Sequence, residues 1–555
     1  MLKFSEFLLS LKKVFITATK HFSFPIFVIV FGVISIVYFS KYIPAEMDEH
    51  IQYWTFGCNY YGSAPKDTIY WKICSELDLA VLKDFFPSSP YLPLRSCLYL
   101  GSFGNVFFLP VWLLWKSIFS VRLVGFLMLG VQALIISKIF KLNKWGVFLF
   151  LTLFLQYSSQ HVYDLGQLSF QCTSIFIIYY LLKKLFITTS SKKIYLYSFI
   201  IGLLAFIGIF IRLSYSFYYP ALGILALLFM IKTFYKDAIK YKNFSRISKI
   251  FKGLIICFFT FLIPTVLLLT AKDKWNNYYF QIITKNTPSN AIYDIKAISK
   301  HYFDVLHKFV LDPTLTLSHE FFNYHATNYL FAFLNWLPII LLISYVIFSK
   351  RVHKNKKLLI LFLIFLTLTT LYTISASPRS WAMHHVVLCY PFLLLAIFYS
   401  YKIISKYNYT IKNIFIITFS MSQCFLTYKF LHLEPSRPID FALPTLIDTL
   451  DRYYSNQSLL IHTEWGGSFI NSINNSNKDA IVMYVPSAPN RRLINNYINL
   501  AKQSGKNITI IGHKNSRKTK IYAKLFEEKN LKLITVKDPA HDLREYELSY
   551  VKVAP

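Results

Sequence analysis

Two adjacent acids, Asp48 and Glu49, follow the first membrane-length apolar run and open a long polar segment. Residues 21–43 are almost entirely apolar and long enough to cross a bilayer. The pair therefore sits near a membrane surface, at the depth of a lipid head group. A carboxylate there is suited to taking a proton from an acceptor hydroxyl. The plain alternative is that both acids begin a solvated loop, as surface acids mostly do. What the rest of the chain puts around them decides between the two.

The chain has 555 residues, of which 55% are hydrophobic and only 15% charged, too apolar for an ordinary soluble protein. Apolar runs recur through the first 430 residues, the pattern of a polytopic α-helical membrane protein. A net charge of +32 could suit nucleic acid, but the lysines fall in short links between the runs. There they act as topology signals and contacts to anionic membrane lipids, so no nucleic-acid partner is expected. The seven cysteines form no C-x-x-C pair, which argues against a zinc ribbon or redox motif. Cys58, Cys74 and Cys97 share the first polar loop, where two can pair in an oxidising compartment and one is left over. Lys3, Lys12, Lys13 and Lys20 precede the first run, and no small-x-small cleavage site follows it. This reads as an uncleaved first span with a cytoplasmic N-terminus.

Eleven spans are expected, near 22–43, 119–138, 145–160, 168–187, 194–212, 216–232, 252–271, 326–349, 357–375, 385–401 and 411–428. The positive-inside rule then holds at every alternate link. Lys138, Lys141 and Lys144 mark the first inward link, Lys183 to Lys193 the second, and Lys232 to Lys252 the third. Lys350 to Lys357 and Lys402 to Lys412 mark the last two. The apolar stretch 105–119 would invert this pattern as a span, so it is expected as an amphipathic helix on the outer surface.

Two domains follow: a membrane core over 1–430, with outer loops 44–118 and 272–325, and a tail over 431–555 on the outer side. In the tail, short strands near 459–461, 480–485, 508–511 and 531–536 alternate with helices near 489–504 and 517–530. Gly505 stands where the first helix would close. This predicts a small extracytoplasmic α/β domain with a largely parallel sheet. It carries no nucleotide-binding motif, which favours a structural or acceptor-docking role.

The first outer loop runs Glu46-Met47-Asp48-Glu49-His50, then Tyr91-Leu92-Pro93-Leu94-Arg95 and Tyr99-Leu100-Gly101-Ser102-Phe103-Gly104. The surface helix follows, and Ser120-Val121-Arg122-Leu123 enters the second span. This order resembles the integral-membrane glycosyltransferases of the GT-C fold class, such as protein O-mannosyltransferases and aminoarabinose transferases of lipid A. The resemblance extends over about 20–430 in topology, with its sharp motifs in 46–123. It implies a sugar donor carried on a polyprenyl phosphate, transferred with inversion to a lipid, glycan or protein acceptor. By the same resemblance Asp48 is the catalytic base, and Glu49 orients the acceptor or tunes its neighbour. Phosphate leaves as a stable anion, so no second catalytic acid is needed, unlike in a glycoside hydrolase.

The leaving phosphate does need positive charge or hydrogen-bond donors. Arg212 ends the fifth span within Ile211-Arg212-Leu213-Ser214, either to serve that need or to snorkel to the interface. Arg379, His384 and His385 stand in Ser377-Pro378-Arg379-Ser380-Trp381-Ala382-Met383-His384-His385, and resemble the donor-phosphate side of the family. Arg95 is the third arginine among the donor-phosphate candidates, although its Pro-Leu-Arg setting departs from the family pattern. Asp164 at another outer span end either contacts the sugar or caps the next helix. His50, His161, His301, His307, His319 and His325 also fall outside by this topology, without metal-ligand spacing, and read as polar surface. No metal site and no required cofactor are expected, with a divalent cation at Asp48 and Glu49 left open. The alternatives to a transferase are an O-antigen polymerase or ligase, and a lipid or solute transporter.

Overall fold

The structure is a computed structural model. It describes residues 24–39, 80–81, 93–97, 100–101, 110–111, 114, 118–163, 166–235, 244–270, 295–311, 329–375, 385–431, 458–462, 481–484, 491–513, 517–535 and 546–553. Helix α1 (Phe24–Phe39) is followed by strands β1 (Ala80–Val81), β2 (Pro93–Cys97) and β3 (Leu100–Gly101) of the first loop. Then come α2 (Ile118–Phe140), α3 (Lys144–Leu153), α4 (Leu155–Tyr163), α5 (Gly166–Leu185) and α6 (Ser191–Ile211). A 3-10 segment (Leu213–Tyr218) leads into α7 (Tyr219–Phe234), then α8 (Phe244–Thr270) and α9 (Ile295–Leu311). The bundle closes with α10 (Tyr329–Phe348), α11 (Lys354–Ser375), a second 3-10 segment (Val386–Cys389), α12 (Tyr390–Tyr407) and α13 (Tyr409–Leu431).

Each of the eleven expected apolar runs lies on helix, and the chain is a multi-pass membrane protein. Among the described residues, six helices are long and apolar enough to cross a bilayer on length and composition alone. Shorter, interrupted or less apolar helices account for the other runs. The third run is one of these, because α3 and α4 are broken at Phe154, whose ψ of 87 is not helical. The break needs no proline. The Gln423 side chain on α13 accepts from Leu155 N–H at 3.1 Å, offering that donor a partner outside its own helix. Helix α9 was not expected; it stands in the 272–325 loop and buries Val305 and Phe309 against the bundle. Of the expected surface helix, Pro110, Val111 and Leu114 are described ahead of α2, all helical, with Leu114 exposed.

Hydrogen bonds show which helix ends lie together. Lys183 Nζ donates to Ile139 O, Arg246 to Phe186 O and Thr188 O, and Asn408 to the Tyr345 hydroxyl. These bonds gather one end, rich in lysine. At the other end Ser169 donates to His161 O, Gln171 to Arg212 O, and Thr373 to Phe217 O. Helices pack closely where side chains are small. Gly202 of α6 faces the Cys257 carbonyl of α8, and Gly253 of α8 faces Ser198 of α6.

An amide chain crosses the core. Gln423 donates to Asn335 at 2.9 Å, Asn335 to Gln156 at 2.7 Å, and Gln156 to Phe309 O at 3.0 Å. It ties α13, α10, α4 and α9 together, and all three amide side chains are buried. Buried amides in an apolar medium cost free energy unless each finds a partner.

The tail folds as strands β4 (Ser458–His462), β5 (Ile481–Tyr484), β6 (Asn507–His513), β7 (Ile534–Thr535) and β8 (Tyr546–Val551), with helices α14 (Arg491–Ser504) and α15 (Arg517–Glu527). The sheet order is β5-β4-β6-β8-β7. Strands β5, β4 and β6 are parallel, as the alternation of strands and helices predicts, while β8 runs antiparallel to β6 and β7 antiparallel to β8. Strand β8 was not anticipated. Its residues alternate Tyr546, Leu548, Tyr550 with Glu547, Ser549, Val551, a two-sided pattern less conspicuous than a continuous apolar run. Gly505 takes φ +63, and Lys506 N–H returns to Ala501 O at 2.9 Å, closing α14 as its position suggested.

Replacing Gln423 by Leu strands Asn335 and Leu155 N–H. It is expected to destabilise the protein by about 1–2 kcal/mol, read as a lowered Tm in detergent. An unchanged Tm would show that the amide chain adds nothing to stability.

Candidate functional site

The site is built at the end of the bundle away from the lysines. Its frame is set by four helix ends. A Cβ at Gly125, about two turns into α2, would collide with the His161 carbonyl, so α2 and the end of α4 meet backbone to backbone. The same His161 carbonyl accepts from Ser169 at 3.0 Å, which brings in the start of α5. Two residues on, Gln171 donates to Arg212 O at 2.8 Å and to Gly208 O at 3.3 Å, fixing the end of α6. Ser214 donates to the Gln171 side-chain oxygen at 3.2 Å, locking the turn into the following 3-10 segment.

Arg122 and Arg212 stand at this end, 1% and 0% exposed, the two largest fully buried side chains among the described residues. Arg212 is thus not a snorkelling interface residue. A guanidinium so withdrawn from water is costly to hold unless charge or hydrogen-bond acceptors meet it. Gln171 orients the Arg212 backbone, and Arg212 itself is extended (φ -158, ψ 134) where α6 stops.

The second 3-10 segment packs beside the first. His385 is buried and its ring lies edge-on to Phe217, 5.7 Å between centroids. Thr373 of α11 donates to Phe217 O at 2.8 Å, and Cys172 of α5 donates to Val387 O at 3.9 Å. Arg212 and His385 are therefore brought to the same end, through the segment that starts directly after Arg212. Arg95 stands on β2, its backbone paired with Ala80 and Gly101, and β3 packs against α6. Asp48, Glu49, Asp164, Arg379 and His384 lie outside the described residues.

His161 is corrected most sharply. Read as polar surface, it is fully buried, with Nδ1 3.0 Å from Tyr157 O and its ring 4.0 Å from the Tyr157 ring. A carbonyl partner requires Nδ1–H to donate, which leaves Nε2 as an acceptor. That nitrogen, the Ser159 hydroxyl and both ends of the Gln160 amide are buried without hydrogen-bond partners among the described residues. Tyr157 in turn donates to Gln132 at 2.8 Å, and Gln132 donates to Thr173 at 2.9 Å, so α2, α4 and α5 share one polar seam.

Arg122 was legible only as part of the second-span opening, and Gln171 and Gln160 were not singled out. Their signal was present as glutamines spaced four apart, Gln156 and Gln160, then Gln167 and Gln171, at the facing ends of two membrane-length runs. His301 of α9 lies 2.7 Å from Ser375 O, anchoring that helix to the end of α11, and its surface reading is likewise incomplete. Among the described residues no three His, Cys, Asp or Glu side chains gather as a metal would require.

No protein-family model and no curated protein matches the sequence. The fold does have counterparts. The crystal structure of ArnT from Cupriavidus metallidurans bound to undecaprenyl phosphate, a GT-C aminoarabinose transferase, superposes with TM-score 0.53. The match covers 95% of this chain and 97% of that one at 9% identity. The chain has the GT-C fold. At this identity the likeness is one of fold, and it agrees with the topology expected from the loop motifs. The apo oligosaccharyltransferase of Archaeoglobus fulgidus is also similar, with TM-score 0.40 and 8% identity over 97% of this chain and 75% of that one. Within the GT-C fold, the close approach at Gly125 sets where Arg122 and His161 stand.

Gly125→Ala should push α2 from α4 and disturb the whole polar seam. Expected are a lower Tm and loss of whatever activity the site has. A variant with unaltered Tm and function would show that this contact does not hold the site.

Proposed function

We propose that the chain is a glycosyltransferase that moves a sugar from a polyprenyl-phosphate donor to an acceptor hydroxyl, with inversion. The observation that carries this reading is the pair of fully buried arginines, Arg122 and Arg212, at the end of a GT-C bundle opposite the Lys183 cluster. Positive charge held there out of water is what a departing polyprenyl phosphate needs, since electrostatic stabilisation is strongest in a dry, fixed setting. The fold's likeness to ArnT bound to undecaprenyl phosphate supports a polyprenyl-linked lipid as partner.

In the proposed reaction the acceptor oxygen attacks the anomeric carbon, the bond from that carbon to the phosphate oxygen breaks, and the polyprenyl phosphate leaves as an anion. Asp48 takes the acceptor proton and Glu49 orients the acceptor. Arg212 and His385, with Arg379, His384 and Arg95, meet the phosphate, and Asp164 contacts the sugar. No second catalytic acid is required, because the leaving group is already a stable anion, and no cofactor is required beyond a divalent cation that Asp48 and Glu49 could hold. The acceptor is a lipid, glycan or protein.

The lysine end faces the cytoplasm in this reading, which follows the positive-inside rule. The site and the 431–555 domain then lie outside the cytoplasmic (inner) membrane. That domain docks the acceptor or supports the fold.

Two measurements test the proposal. In reconstituted membranes supplied with polyprenyl-phosphate sugar, Asp48→Asn should lower turnover by about 10²–10⁴-fold, and Arg212→Gln by about 10²–10³-fold. Near-wild-type transfer by a folded Asp48→Asn protein would sink the base assignment. Separately, alkaline phosphatase fused after Pro555 should be active, and a fusion active only as a cytoplasmic reporter would overturn the orientation.

A further inference from the structure

The lysine end carries a feature that the transfer reaction does not use. A groove of about 550 Å³ runs along the last turns of α2 to the start of α3. Its wall is apolar, formed by Leu134, Ile135 and Leu142, and Lys138 and Lys144 also line it. The Lys144 ammonium is held over the Phe24 ring at 5.4 Å, so its position is constrained rather than free-swinging.

The turn beside the groove is unusual. Helix α2 closes with Leu142 N–H on Ser137 O at 3.1 Å, which puts the intervening Lys141 at φ 55. That position is normally glycine, because a side chain is strained there. The chain instead keeps a third ammonium beside the groove. More positive charge lies close by. Lys183 Nζ bonds Ile139 O at 3.2 Å, and Lys141, Lys184 and Lys402 all stand near enough to repel it. Among the described residues between Phe24 and Leu431, the single carboxylate is Asp304, on α9, whose neighbour His301 is tied to the opposite end. The basic cluster thus has no described acid to balance it. A groove whose wall is alkyl side chains, with two ammonium groups beside them and one of those held over a ring, matches one kind of molecule: an acyl chain below an anionic head group.

We propose that this groove is a binding site for one anionic phospholipid, its phosphate between Lys138 and Lys144 and an acyl chain against Leu134, Ile135 and Leu142. The site is independent of the transfer reaction and lies at the other end of the bundle.

The full-length protein, purified in detergent, is titrated with dioleoyl phosphatidylglycerol or dioleoyl phosphatidylcholine and read by native mass spectrometry. The wild type should take up one phosphatidylglycerol well before phosphatidylcholine. Lys138→Gln with Lys144→Gln should weaken phosphatidylglycerol about 30-fold, from roughly fivefold per lysine near an anionic head group. Leu134→Trp, which fills the groove and leaves every charge in place, should weaken it as well. Lys354→Gln with Lys357→Gln removes the same charge from the same end, away from the groove, and should leave affinity as in the wild type. Equal binding of the two lipids would overturn the proposal. So would full affinity in Leu134→Trp, or an equal loss in Lys354→Gln with Lys357→Gln, and both results stand even if the first double variant does not fold.

Discussion

A polar group inside an apolar bundle has no water to fall back on, so each buried amide, hydroxyl and guanidinium must be met by another part of the chain. Three side-chain junctions meet that demand here. Gln423, Asn335 and Gln156 join α13, α10 and α4. Tyr157, Gln132 and Thr173 join α4, α2 and α5. Gln171 joins α5 to the end of α6. Lipid-facing apolar residues set no register between helices, because one alkyl contact is much like the next. The amides do set it, since a one-residue slip would leave them unpaired. Position at the arginine end is therefore inherited from polar junctions deeper in the bundle.

The two ends of the bundle differ in kind. At one, lysines crowd around Lys183 with no described carboxylate near them. At the other, two arginines, Arg122 and Arg212, are fully buried. Exposed lysine suits a fluid anionic surface, whereas a fixed guanidinium suits a defined oxyanion. The same charge sign is thus held in two different ways at the two ends of the bundle.

The helices of the bundle were legible because an apolar run of bilayer length has few other meanings. The parallel strands β4, β5 and β6 were legible as short apolar runs, and Gly505 as the closure of α14. The break at Phe154 was not, since its cause, Gln423, is 268 residues away from Leu155. Strand β8 was missed because Glu547 and Ser549 interrupt its apolar side. The site was legible in part. Arg212 and His385 were named, but a span-ending arginine looks the same in sequence whether it snorkels or is buried. His161 read as surface because its burial depends on Gly125 and Tyr157, and neither contact can be seen from its own neighbours. The acids that opened the reading, Asp48 and Glu49, belong to residues the structure does not describe.

The break between α3 and α4 also bears on the order in which the protein can assemble. Leu155 N–H finds its acceptor on the last helix of the bundle, made 268 residues later. At ordinary translation rates that interval is on the order of tens of seconds. Until then the third run has every reason to stay a continuous helix, with each N–H bonded within itself. The hydrogen bond that meets the freed N–H at the bend is therefore completed only once α13 has been made, after all the helices around His161.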